Sequence, residues 1–243
     1  MNKLYIVGFG PGDAANMTEL CSRRLRESDI IVGYSGYISR LRPLFPDKSY
    51  LETGMTQEIE RCRRAIELAG SGKTVCVVSS GDSGVYGMAS LIFELAADTE
   101  GIDIEVVPGV TAAVSGAALL GAPIAHDFVV ISLSDLLTPW EIIEKRLRAA
   151  VIGDFAICLY NPGSIERAEH LRDACDVLLE GVPSDRLCGI VRNVGREGQA
   201  VSLMKLRELR DVKAGMNETV FIGNSATRNI CGRMVTLRGY SYD

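Results

Sequence analysis

Only two histidines, His126 and His170, and one tryptophan, Trp140, occur in 243 residues. No Ser-His-Asp or Cys-His constellation can be picked out of so few, and nucleophilic catalysis finds no support. The seven cysteines (Cys21, Cys62, Cys76, Cys158, Cys175, Cys188 and Cys231) are odd in number, and none stands in Cys-x-x-Cys spacing. A disulfide framework and a structural zinc are thereby disfavoured, and no protein-bound metal is expected. Most of the thiols read as small buried hydrophobes. No apolar run approaches the roughly 20 residues of a membrane span. Met1-Asn2-Lys3 passes directly into the apolar run Leu4 to Val7 without signal-peptide architecture, so the cytoplasm is the expected compartment. Excess basic charge is missing too. The 26 Lys and Arg against 31 Asp and Glu give a net charge of −5, which disfavours a nucleic-acid surface.

What is there is a globular composition, 47% hydrophobic and 23% charged, in a chain long enough for two domains of about 120 residues. Apolar runs and turn residues alternate as in an α/β protein. Strands are expected at 3–8, 29–32, 74–79, 103–107, 127–132, 154–160, 186–192 and 218–223. Helices are expected at 18–27, 56–69, 86–97, 111–120, 139–149 and 164–179. Crossover helices imply largely parallel pairing. Thr138-Pro139-Trp140-Glu141 reads as a helix start, with Thr138 as N-cap and Glu141 completing a capping box. A junction near 122–126 divides the chain into domains 1–123 and 124–243, and a cleft at such a junction is a favoured ligand site.

Two glycine-rich turns imitate nucleotide motifs. Gly8-Phe9-Gly10-Pro11-Gly12-Asp13 follows a strand but carries Asp13 where a dinucleotide fingerprint needs its third glycine, and Pro11 has no amide to donate. Gly70-Ser71-Gly72-Lys73-Thr74 lacks the upstream glycine of a P-loop, since position 67 is Glu, and it precedes a strand. It reads as a helix-to-strand turn. More telling are Ser79-Ser80-Gly81-Asp82-Ser83-Gly84-Val85-Tyr86-Gly87 and Val107-Pro108-Gly109-Val110-Thr111-Ala112. Each lies where a strand hands over to a helix, the edge of an α/β sheet at which ligands bind. Glycines there admit close backbone approach, while Asp82 and Thr111 offer polar groups to a hydroxyl or amine.

Together these three strings resemble the tetrapyrrole (corrin/porphyrin) methylases. Further strings are similar to the branch of that family that methylates C17 of a precorrin and contracts its ring in cobalamin synthesis. They are Gly33-Tyr34 to Tyr37, Thr53-Gly54-Met55 with Glu58-Ile59-Glu60-Arg61, His126-Asp127-Phe128 running to Trp140, Leu159-Tyr160-Asn161-Pro162, and Gly223-Asn224-Ser225. The resemblance covers essentially the whole chain. It implies a two-lobed α/β fold, a homodimer, a tetrapyrrole substrate, and S-adenosylmethionine bound in the interlobe cleft. The binding positions it carries over are Pro11, Ser80, Gly81, Asp82, Val85, Thr111, Ala112 and Asn161, with Asp82 foremost. Ser80 replaces a glycine common in the family, and Asn161 stands where others have Met.

Methyl transfer to a carbon of enamine character asks the protein mainly for positioning. Ring contraction also needs proton movement, for which Asp13, His126, Ser132 and Asp135 are the candidates. Each has a bland reading: Asp13 as a turn cap, His126 as a hinge residue, Ser132 and Asp135 as turn formers. His170, beside Glu166, Glu169 and Arg172, reads as solvated on a charged helix face. Tyr86 and Tyr160 either stack on a ligand or pack. Arg40, Arg64, Arg167 and Arg192 are candidates for binding substrate carboxylates, and any cobalt would arrive inside the substrate. Another corrin or uroporphyrinogen methylase, or a non-catalytic tetrapyrrole carrier, is the alternative. The related architecture that methylates ribosomal RNA is disfavoured by the negative charge.

Overall fold

The computed structural model describes residues 2–164 and 167–241. By contacts the chain divides into two compact units, Met1–Ala112 and Ala113–Asp243. Sequence placed the junction near 122–126. The division falls earlier because helix α5 (Ala112–Leu120) packs Ala113, Ala117 and Leu120 into a core with Cys158, Val191 and Phe221.

The first unit contains β1 (Asn2–Gly8), α1 (Glu19–Glu27), β2 (Ile30–Tyr34), α2 (Ser35–Leu41), β3 (Ser49–Thr53), α3 (Glu58–Gly70), β4 (Val75–Ser79), α4 (Ala89–Leu95) and β5 (Ile102–Val107). Its five strands pair in the order β3-β2-β4-β1-β5, all parallel. The inner strands β1, β2 and β4 read as apolar runs because both faces are covered. Leu4, Ile6, Val75 and Val77 pack against α3 and α4, while the alternate residues Tyr5, Val7, Cys76 and Val78 pack against α1 and α2. That is the two-residue period of a strand divided between two cores. The turn 70–74 links α3 to β4, as its sequence suggests. Helix α4 starts only at Ala89, because Tyr86 has a positive φ of 54° and the glycine-rich loop runs on to Met88.

The second unit continues from α5 with β6 (Gly121–Ala122), β7 (Phe128–Ser132), α6 (Trp140–Ile152), β8 (Ala156–Tyr160), α7 (His170–Leu179), β9 (Leu187–Arg192), β10 (Ala200–Lys205), α8 (Leu206–Leu209), β11 (Glu218–Ile222), β12 (Thr227–Ile230) and β13 (Arg233–Thr236). Its main sheet runs β10-β9-β11-β8-β7, and β6, β12 and β13 form a small second sheet. Here the expected parallel pairing fails. In the main sheet only β7 and β8 run parallel, while β8-β11, β11-β9 and β9-β10 are antiparallel, β9 and β10 being joined by the loop 193–199 with no crossover helix; in the small sheet β6 and β13 run parallel.

The expected capping box is also absent. Helix α6 begins at Trp140 with Pro139 at the N-cap and no side-chain cap, and Glu144 instead accepts from Trp140 Nε1 at 2.9 Å. The helix expected at 164–179 starts at His170, and residues 165 and 166 lie outside the described residues. Six cysteines are buried and free, Cys231 being exposed. Burial pushes the Cys62 thiol up to about 11 and Cys21 and Cys175 up to about 12, so these thiols stay protonated at neutral pH.

The tightest packing lies at the carboxyl ends of β1, β4 and β5. A methyl group on Gly109 would stand 2.1 Å from the Gly81 carbonyl oxygen and 2.4 Å from that of Gly8. Gly109→Ala is therefore expected to cost about 2–4 kcal/mol in urea denaturation. Gly70→Ala, which meets nothing within 4 Å, should change stability by no more than about 1 kcal/mol.

Candidate functional site

Strands β2, β3 and β4 lie to one side of β1, and β5 lies to the other. The loops after β1, β4 and β5 are therefore neighbours at one sheet edge, where ligands of open α/β sheets bind. Gly10 and Gly81, both at positive φ, exchange backbone bonds of 3.0 and 2.9 Å. The buried Ser83 hydroxyl donates to Ile6 O at 3.1 Å. Asp82 fastens the second loop to the third: its Oδ1 accepts from Gly84 N at 2.8 Å and its Oδ2 from Gly109 N at 2.9 Å. Gly81 approaches Thr111 so closely that a methyl group on it would lie 3.6 Å from the Thr111 Cα. The structure thus gathers Gly81, Asp82 and Thr111, with Ser80 and Val85 on the same loop as Asp82. Pro11 is buried in the first loop. Tyr86 is more than half exposed at positive φ, a strained state for a bulky residue and one that clusters at functional sites.

Asp13 takes the bland role. Its Oδ1 accepts from Asn16 N at 2.9 Å and Asn16 Nδ2 at 2.6 Å, capping the short 3-10 turn Ala14–Asn16. Arg61, which closes the string Glu58-Ile59-Glu60-Arg61, was given no role by the sequence. It is buried, donates from Nε to Thr53 Oγ1 at 2.7 Å and from Nη2 to Gly54 O at 2.9 Å, and so pins the loop after β3. The signal was available, for Arg61 lies on the buried stripe of α3 with Cys62, Ala65, Ile66 and Ala69. Among the other arginines, Arg40 stacks 5.2 Å from the Phe9 ring centre and 5.1 Å from Tyr37. Arg64 and Arg192 are exposed.

In the second unit the parallel pairing of β7 with β8 sets Ser132 opposite Tyr160. Asn161, at φ 53°, then donates from Nδ2 to Ser132 Oγ at 2.8 Å, and Ser134 N donates to the same oxygen at 3.2 Å. Arg167 reaches Ser134 Oγ with Nη1 at 3.4 Å. Tyr160 OH accepts from Ala113 N at 2.6 Å, the packing role of its two readings.

His170 is not the solvated residue expected. Its side chain is 16% exposed, it stacks on Trp140 with ring centres 4.9 Å apart, and its Nδ1 lies 3.0 Å from Leu133 O. Its Nε2 stands 3.6 Å from Asp135 Oδ2. Ser132, Asp135 and Asn161 are thus brought into one strip, together with Arg167 and His170.

His126 is not part of that strip. It precedes β7 while Ser132 closes it, and five residues of strand span roughly 16 Å. Its Nδ1 accepts from Asp127 N at 2.8 Å, and it lines a depression of about 520 Å³ with Asp154, Ser225 and Arg228. The Asp154 carboxyl there is held below the usual range, burial being outweighed by bonds from Ser225 and the charge of Arg186.

Among the described residues no group of three His, Cys, Asp or Glu side chains could hold a metal, and no helix is long and apolar enough to cross a membrane. The three loops of the first unit present a carboxylate, the hydroxyls of Ser80 and Thr111, and backbone groups, with no Lys, Arg or His among residues 8–13, 80–88 and 108–112. Such a set suits a hydroxylated ligand that is neutral or positively charged and does not suit a phosphate.

The model of the tetrapyrrole (corrin/porphyrin) methylases matches residues 3–210. A Salmonella typhimurium protein called a probable cobalt-factor III C(17)-methyltransferase is 44% identical over 98% of this chain and 99% of its own length. A Priestia megaterium cobalt-factor III methyltransferase is 42% identical over 98% of this chain, which spans 45% of that longer protein. The crystal structure of the methyltransferase CobJ superposes with a TM-score of 0.91 at 38% identity, covering 98% of this chain and 100% of that one. The loops at the sheet edge and the match along the whole chain agree, and the chain belongs to the tetrapyrrole methylase family.

Proposed function

We propose that the protein methylates C17 of a cobalt-containing tetrapyrrole of the cobalt-factor III type, with ring contraction, as a step of cobalamin biosynthesis. The observation that carries this reading is the 44% identity to the Salmonella protein across nearly the full length of both chains. S-adenosylmethionine, when bound, supplies a methyl group on a positively charged sulfonium, electrophilic enough for an enamine carbon to take it without a protein nucleophile. The phosphate-free, uncharged or cationic ligand called for by the three loops fits it. Pro11, Ser80, Gly81, Asp82, Val85, Thr111 and Ala112 of the first unit hold it. Asp82 acts twice, fixing the amides of Gly84 and Gly109 and offering its remaining lone pairs outward. Ser132 and Asp135 face the acceptor from the strip at the end of β7, where Arg167 is the best placed of the four candidate arginines to receive a carboxylate, its Nε being buried without a hydrogen-bond partner among the described residues. The protein acts as a cytoplasmic homodimer in this reading.

The test is a mass-spectrometric assay with S-adenosylmethionine and the trimethylated tetrapyrrole, with and without cobalt. One added methyl with loss of the intact-macrocycle spectrum, favoured by cobalt, is the expected result. A methyl gain without contraction moves the protein to a sibling methylase, and no transfer removes the reading. Asp82→Ala and Asp82→Asn should both weaken S-adenosylmethionine binding at least about tenfold in titration calorimetry while the chain stays folded. Alanine takes the acceptor away from the exposed Gly84 amide and the part-buried Gly109 amide, and asparagine turns an N–H donor toward one of them. Wild-type affinity in Asp82→Asn would take the carboxylate out of the site.

A further inference from the structure

We propose that the depression at the amino ends of β7 and β8 is a binding site for a small organic anion, a carboxylate or phosphate carried on an apolar body. His126 and Asp127 enter it just before β7, Gly153 and Asp154 just before β8, and residues 224–226 just after β11, with 237–239 following β13. All of them belong to the second unit. Strand β11 runs antiparallel to β8 with Ile222 opposite Ile157, so the loop after β11 returns to the end of the sheet where β8 begins. Ser132 and Tyr160 pair at the other end of β7 and β8. The depression is therefore separate from the strip that holds Ser132 and Asn161.

Its polar groups are arranged to donate. Asn224 is the one buried residue of the lining, 6% exposed. Its Oδ1 accepts from Ala226 N at 3.0 Å and from Thr227 Oγ1 at 3.2 Å, and a backbone amide can only donate, so the orientation of the side-chain amide is fixed. The two N–H groups of Nδ2 are left without a partner among the described residues, a state that an acceptor entering the depression would relieve. Arg228 commits Nη1 to Ser225 O and Thr227 O, at 2.7 and 2.9 Å, and presents the rest of its guanidinium in a set direction. Arg238 lies with its guanidinium 5.6 Å from the centre of the Tyr240 ring, and neither arginine is ion-paired among the described residues.

The two carboxylates of the lining are engaged elsewhere. Asp154 follows α6 at φ 50°, where glycine is the usual residue, and it accepts from Ser225 N and Oγ with Arg186 at 3.8 Å. Asp127 stands 3.5 Å from His126 Nδ1. Unpaired guanidinium groups in a chain of net charge −5 thus meet a buried amide donor at one place, which selects an oxyanion. The volume, about 520 Å³, exceeds what an inorganic anion fills and lies in the range of small-molecule sites. Ala226, Leu237 and the glycines 153 and 239 supply an apolar wall for the rest of the ligand.

The test is titration of the whole chain with phenyl phosphate, benzoate, inorganic phosphate and benzyl alcohol, followed by ¹H–¹⁵N NMR. Phenyl phosphate or benzoate should give saturable shifts of the Asn224 side-chain amide and of backbone signals at 153–154, 224–228 and 237–239, the tighter of the two identifying the oxyanion. Inorganic phosphate and the uncharged benzyl alcohol should each bind at least about tenfold more weakly. Arg238→Gln, which has no hydrogen bond among the described residues to lose, should weaken binding at least about tenfold with an unchanged thermal midpoint. Asn224→Asp keeps an acceptor for Ala226 N and puts a negative oxygen in place of the donor, and should abolish saturation. No saturable shift with either organic anion, shifts confined to other residues, equal affinity for inorganic phosphate or benzyl alcohol, or an affinity of Arg238→Gln within about twofold of wild type overturns the proposal. Methylation enters none of these readouts.

Discussion

The first unit is organised around a place where three backbones occupy space that side chains cannot enter. Gly8, Gly81 and Gly109 end or follow β1, β4 and β5, and a methyl group on Gly8 or Gly109 would run into the backbone of the others at under 3 Å. Contact this close brings the three loops to one point of the sheet edge. It also makes the remaining geometry compulsory. With Gly109 N within hydrogen-bond distance of the second loop, Asp82 can span both loops with a single carboxylate, and Gly10 and Gly81 can exchange backbone hydrogen bonds across the first two. The polar groups left over at this edge are then few and fixed in direction, which is what a binding site needs before any ligand arrives.

How much of this could be read from the sequence depends on how deeply each element is buried. β1, β2 and β4 are covered on both faces and announce themselves as apolar runs. β3 and β10 were missed because they are edge strands, with most of their residues exposed or half-buried and no hydrophobic pattern to see. The turn from antiparallel to parallel pairing in the second sheet leaves no local trace either, since strand composition hardly distinguishes the two. At the site, the position of Asp82 was legible but its bonding was not. A single residue in a glycine-rich turn does not reveal that an amide 27 residues away will be its partner. Ser132 and Asn161 are 29 residues apart and meet only because β7 and β8 run parallel in register.

His170 shows the same limit more sharply. Its neighbours along the chain are charged, and a helical face of Glu169, Arg172 and Asp173 gives every local reason to place it in water. Helix α7, however, begins at His170 and not six residues earlier. The ring at a first helical position points back past the helix end, toward the strand end and Trp140, instead of outward with the charges one turn on.

The two units consequently present opposite kinds of polar surface. On the loops of the first, the ionised group is spent on backbone amides, no cation is present, and selection rests on shape and on a few residual lone pairs. Along the strip 132–135 of the second, backbone and hydroxyl groups orient side chains: Leu133 O anchors the His170 ring at Nδ1, and Ser134 Oγ accepts from Nη1 of Arg167. A guanidinium nitrogen without a hydrogen-bond partner among the described residues is costly to keep near a protein interior. A surface that tolerates it is suited to a ligand that brings carboxylates, whereas the glycine-lined edge of the first unit is suited to a molecule that must be held in one orientation and left chemically alone until it reacts.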